Sequence, residues 1–126
     1  VYWIILCAVI FLGGVGMAVQ TLAAQAQGAG RPARAAEATW AGLYAALLTI
    51  PAFVAIGALG GPLLGAIGLD AEVQRLALEY WWPRLVVGGP IGLLAWALTG
   101  FFNGIGRTRV TLAVTGAMAL SNVFFN

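Results

Sequence analysis

The chain has 126 residues, 62% hydrophobic and 8% charged, with a mean hydropathy of +0.97 and a formal net charge of +2. Soluble domains carry roughly 25% charged residues, so this composition excludes a water-soluble fold and points to a membrane protein. The positive charge comes from arginine alone, in short turns between apolar runs, which speaks against a nucleic-acid partner.

Apolar helical spans are expected over residues 1–27, 33–59, 71–103 and 108–126, each near or above the roughly 20 residues that cross a bilayer. The breaks between them alternate in charge. Gly28–Arg34 and Gly104–Arg109 are glycine-arginine turns, whereas Gly68–Glu79 carries Asp70, Glu72 and Glu79 against Arg75. Arginine is held on the cytoplasmic side of a membrane. Arg31, Arg34, Arg107 and Arg109 are therefore the topology determinants, expected inside, with the acidic break outside.

On the first span, Gly13, Gly16, Gln20 and Gln27 share one helical face, and Thr21 and Gln25 a neighbouring one. Glycines there admit a second backbone, and glutamine wants an interhelical partner or water. Cys7 is expected to be a buried, unreactive thiol. Gly28-Ala29-Gly30 stops the helix. The second span begins near Pro32, with Glu37 expected in its first turn and Trp40 at the inner interface. Pro51 removes a mid-span hydrogen bond and predicts a bend. Gly60-Gly61-Pro62 is expected to break the helix, leaving 63–69 as a short connector.

Asp70 is the expected N-cap of the third helix, whose first turns project outside because the run is too long for one perpendicular span. Tyr80, Trp81 and Trp82 are expected at the outer headgroup level. Arg84 is expected to snorkel or to pair with Glu79 or Tyr80. Pro83 and Pro90, beside Gly88 and Gly89, make this the most deformable helix. Gly89, Gly92, Trp96, Thr99 and Asn103 share a face. The fourth span carries the sharpest pattern: Thr108, Thr111, Thr115, Asn122 and Asn126 lie on one narrow arc. Asn122 stands about 20 Å along that helix, where an amide is costly unless it faces protein or a wet cavity. Thr111 and Thr115 can satisfy themselves on their own backbone. Asn122 has too many donors and acceptors for one local bond.

The G-A-G-R of Gly28–Arg31 and the G-I-G-R of Gly104–Arg107 echo each other, as two inward-running helices stopped by glycine and inside arginine should. The first apolar run opens without an initiator Met, and a helical pattern still runs at Asn126, so a piece of a longer membrane protein is expected. With no histidine, one cysteine and no carboxylate pair within the spans, neither enzyme chemistry nor a metal or cofactor site is expected. The glycine pairs lack the strand-to-helix setting of a phosphate loop.

The segment G-V-G-M-A-V-Q-T-L-A-A-Q-A-Q-G-A-G at Gly14–Gly30 resembles the second-helix motif of multidrug and toxic compound extrusion (MATE) transporters. Tyr80…Pro90…Gly100-Phe101-Phe102-Asn103-Gly104-Ile105-Gly106-Arg107-Thr108-Arg109, followed by Asn122…Asn126, resembles that family's fourth and fifth helices. Asn103 stands where the family often has arginine. The resemblance covers nearly the whole chain. It implies four transmembrane helices from the N-terminal lobe of a twelve-helix, two-lobe antiporter in the cell membrane. Such proteins export organic, often cationic compounds in exchange for protons or sodium by alternating access. Asn122 matches the fifth-helix asparagine that lines the N-lobe cavity, and the buried acidic residues of the family lie outside this chain. Candidate cavity-lining residues are Asn122, Asn126, Thr115, Gln20 and Gln25. Pro51, Pro83 and Pro90 are candidate bend points. The partners implied are a small organic substrate, the coupling ion, the lipid bilayer and the remaining helices of the transporter. A lipid-linked oligosaccharide flippase of the same superfamily and a non-transporting membrane scaffold are the alternatives.

Overall fold

The computed structural model describes residues 2–125, with side chains through Phe124, and every regular element among them is helical. The chain forms α1 (Tyr2–Leu12), α2 (Gly14–Gly28), α3 (Pro32–Leu48), α4 (Ile50–Ala58), α5 (Gly60–Ala66) and α6 (Ala71–Pro83). A π-helical segment, Arg84–Gly88, then leads into α7 (Gly89–Gly104) and α8 (Thr108–Phe125). Among the described residues, three continuous helical stretches are long and apolar enough to cross a membrane: Tyr2–Gly28, Pro32–Ala58 and Ala71–Gly104. The last has 34 residues, about 51 Å at 1.5 Å per residue against a hydrocarbon core of about 30 Å. Its ends therefore reach beyond the bilayer. α8 has 18 residues.

Lipid gives helices no hydrophobic reason to associate, so close van der Waals approach must do it. Glycine supplies the approach. α2 and α7 run parallel with backbones in contact: a Cβ on Gly100 would overlap the Gly16 carbonyl, and one on Gly104 would lie 2.6 Å from the Gln20 carbonyl. On the other flank of α2, the Val19 side chain occupies the space that a Cβ on Gly42 of α3 would need. α2 is thereby clamped between α3 and α7, with Ala23, Ala26 and Ala35 forming a small buried cluster. The larger cluster joins Ile5, Ala46, Phe53, Trp81, Leu85 and Leu93.

Trp81 is a core residue, not an interfacial one. It is fully buried, its indole N–H donates to the Gly57 carbonyl at 3.1 Å, and a Cβ on Gly60 would meet that nitrogen at 2.5 Å. Two glycines three residues apart leave a notch the size of the ring. Tyr80 and Trp82, its neighbours in sequence, are exposed. Cys7 is exposed on the same side of α1 as Trp3 and Phe11, because an apolar helix in a membrane need not hide its apolar face. Glu37 falls in the second turn, since α3 begins at Pro32 and has no acid in its first turn. Arg84 does not pair with Glu79, which instead pairs with Arg75 at 2.5 Å. Asp70 occupies the N-cap position without a side-chain bond, its carbonyl accepting from the Gln74 amide at 2.8 Å. The break expected at Gly60-Gly61-Pro62 falls instead at Leu59, and the expected connector 63–69 is helical as far as Ala66, because Pro62 fits the first turn of α5.

The two glycine-arginine turns have one geometry. Gly30 and Gly106 take left-handed φ values of 68° and 76°. The Arg31 amide reaches back to the Ala26 carbonyl at 2.9 Å and the Arg107 amide to Phe102 at 2.8 Å, while Gly30 and Gly106 bond to Gln27 and Asn103. Both are Schellman stops.

Candidate functional site

The small and polar faces expected on the first and third spans converge. Gly13, Gly16 and Gln20 of the first meet Trp96, Thr99 and Gly100 of the third around an open groove of 360 Å³. Its floor is backbone: a Cβ on Gly13 would strike the Trp96 ring, and one on Gly16 would come within 2.9 Å of the Trp96 carbonyl. Met17 adds an exposed thioether to its rim. No ionisable side chain lines it. The groove thus offers an indole ring, a soft sulfur, one amide and one hydroxyl on a mostly apolar surface. That set suits contact with a flat organic molecule and provides no charge to bind a coupling ion.

The other expected site residues are distributed. Gln25 lines a second groove with Arg31, Arg34 and Glu37. Thr115 lines a third with Asn103, Thr108 and Thr111 along α7 and α8. Asn122 is exposed, and among the described side chains of α8 only Thr111 and Gly116 are even half-buried. Gln20 and Asn122 are therefore not brought together here, and Asn126 lies outside the described residues.

Thr111 does not satisfy itself on its own helix. Its hydroxyl donates to Asn103 Oδ1 at 2.8 Å, tying the start of α8 to the end of α7. An arginine at position 103 would have no acceptor to offer that hydroxyl, so the bond depends on the asparagine. Thr21 and Thr39 do bond their own helices, to the Met17 and Ala35 carbonyls. Sequence reasoning missed the Asn103–Thr111 pair because it straddles two helices. Their nearness across a tight turn was the available signal.

The three prolines differ. Pro51 and Pro83 are exposed, whereas Pro90 is buried. One residue before it, Gly89 abuts Phe53, whose ring a Cβ there would meet at 2.5 Å. Near Pro51, the amide and hydroxyl of Thr49 both bond to the Ala46 carbonyl, at 3.2 and 2.6 Å, which tightens the helix locally. The π-helical segment lies between Pro83 and Pro90. Arg31, Arg34, Arg107 and Arg109 are all exposed, and the two turns adjoin, with Pro32, Ala35, Phe101 and Arg107 around one hollow.

The MatE family model matches residues 2–126. Two similar proteins are each described as a probable multidrug resistance protein NorM. The one from Geobacillus kaustophilus is 31% identical over 116 residues, which is 90% of this chain and 25% of the relative. The one from Halalkalibacterium halodurans is 31% identical over 120 residues, 91% of this chain and 25% of the relative. The chain thus spans about a quarter of the length of these relatives. No solved structure matches it. A family match along the described helices, on a chain whose glycine-packed spans carry neutral polar faces, places this chain in the MatE family of membrane proteins.

Proposed function

We propose that this chain forms part of the N-terminal lobe of an efflux antiporter. It exports organic, often cationic compounds across the cell membrane against an inward flow of protons or sodium. The observation that carries the reading is the α2–α7 groove, in which Gln20, Thr99, Trp96 and Met17 surround a glycine floor without a charge. A surface that grips by shape, aromatic contact and neutral hydrogen bonds can pass varied organic molecules, whereas fixed charges would select one. Both described relatives are named for multidrug resistance. A lipid-linked oligosaccharide flippase calls for several arginines deep within the spans, and Arg84 is the one arginine here more than two turns from the end of a spanning stretch.

We propose further that Thr115, Asn122 and Asn126 line the substrate passage in the full-length transporter. The support is the polar arc on that helix together with the cost of an amide in hydrocarbon. In a cysteine-free version of the full-length transporter, Gln20→Cys and Asn122→Cys are expected to react with a small hydrophilic thiol reagent, and a planar aromatic cation such as ethidium should slow both reactions. Asn122→Leu should reduce ethidium efflux with membrane abundance unchanged. Unreactive cysteines and normal efflux would return both residues to plain helix packing.

A further inference from the structure

A groove of 460 Å³ opens between α2 and α3 at the arginine end of the molecule. Arg31, Arg34, Gln25 and Glu37 stand at it, and Leu22 and Ala41 belong to its apolar wall. Among the described residues neither arginine has an ion-pair partner; the ion pairs join Arg75 to Glu72 and Glu79 on α6. Glu37 lines the same groove but forms no ion pair with Arg34, and two arginines at the rim outnumber this one carboxylate. Arg107 adjoins from the second turn. Further up α3, Trp40 and Tyr44 are exposed side by side, ring centroids 6.2 Å apart. With Glu37 and Ala41 they share one face by helical spacing.

We propose that this groove seats an anionic phospholipid of the adjoining leaflet. Its phosphate lies between Arg31 and Arg34, and its acyl chains run along Leu22, Trp40 and Tyr44. Guanidinium groups match phosphate oxygens in fork geometry, and a basic pocket between membrane helices is suited to a lipid headgroup. The aromatic pair and apolar wall, continuous with the cationic rim, select a lipid over a soluble anion. The excess of arginine over the single carboxylate selects an anionic headgroup over a zwitterionic one.

The test equilibrates the purified full-length transporter in detergent with equal amounts of phosphatidylglycerol and phosphatidylethanolamine, then counts retained lipid by native mass spectrometry. Phosphatidylglycerol should be retained preferentially. Arg31→Gln with Arg34→Gln should lower its retention by about fivefold per arginine, and Arg75→Gln should not change it. Ala41→Phe fills the wall but leaves every arginine in place, so it separates a seated lipid from loose charge attraction. It should also lower retention, and it carries the test if the arginine variant fails to insert. Equal retention of both lipids, or retention unchanged in Ala41→Phe, would overturn the proposal. So would displacement of phosphatidylglycerol by millimolar inorganic phosphate, which would make the groove a soluble-anion site.

Discussion

At the residue scale, the absence of one methyl group decides how α2 meets α7. A Cβ on Gly100 would collide with the Gly16 carbonyl, which is backbone and has no rotamer to escape into. Gly100→Ala should therefore destabilise the full-length protein by about 1–3 kcal/mol, read as a lower unfolding midpoint in detergent. Gly92 faces open space, and Gly92→Ala should leave the midpoint unchanged or raise it, since alanine is the better helix former. Charge at the opposite end follows a different rule. The Arg75 guanidinium donates to both Glu72 oxygens, at 2.7 and 3.1 Å, and holds that carboxyl below the usual carboxylate range. A depressed value in the folded state means the pair is fully formed above the ordinary carboxylate range and is lost as pH falls through the lowered one. The Glu72 carboxyl should thus titrate at lower pH in the parent than in Arg75→Gln, followed by carbon NMR. Both groups are solvated, so the stability at stake is small.

Among the elements, the stretch from Pro83 to Pro90 departs furthest from a regular helix. Pro83 cannot donate to the carbonyl four residues back and its ring crowds that carbonyl, and the turns that follow widen to π geometry. Such widened turns recur at functional sites. Pro90→Ala should alter transport more than membrane abundance, measured as efflux per unit of inserted protein. Equal loss of both would assign the residue to folding, a role its burial beside Gly89 and Phe53 makes concrete. Helix stops were plain in the sequence because Gly30 and Gly106 each precede arginine, and a left-handed stop needs only local chemistry. The seat of Trp81 was not. Its neighbours Tyr80 and Trp82 made an aromatic belt the natural reading, and the notch that receives it lies on another helix. Phe53, Gly57, Gly60 and Leu64, spaced as one helical face, carried the signal.

For the molecule as a whole, charge predicts which ends face which side of the membrane. Single cysteines at Ala33 and Ala71, in a background lacking Cys7, should label from opposite sides of the membrane with an impermeant reagent. Labelling from one side would overturn the placement of both arginine turns in the cytoplasm. The groove on α2 and α7 was legible in part. Gly13, Gly16 and Gln20 on one span, and Trp96 and Thr99 on the other, already shared faces by spacing. That the two faces meet depends on the close approach at Gly100 and Gly104, which periodicity does not encode. The arc on α8 was equally sharp as a pattern, yet among its described side chains only Thr111 hydrogen-bonds to another side chain, Asn103, so pattern alone does not say what the rest of the arc touches.

The indole of Trp81 gives the molecule a built-in optical probe. Trp3, Trp40, Trp82 and Trp96 are between 42% and 74% exposed, whereas Trp81 is sealed from its surroundings and hydrogen-bonded. Where those four rings meet lipid in the full-length protein, brominated acyl chains should quench their fluorescence and spare Trp81. The share of the surviving emission that Trp81 contributes should be lost in Trp81→Phe. In the parent it should become quenchable when α6 separates from α4 and α5, so the colour and lifetime of one ring would follow the opening of that seam in a working membrane.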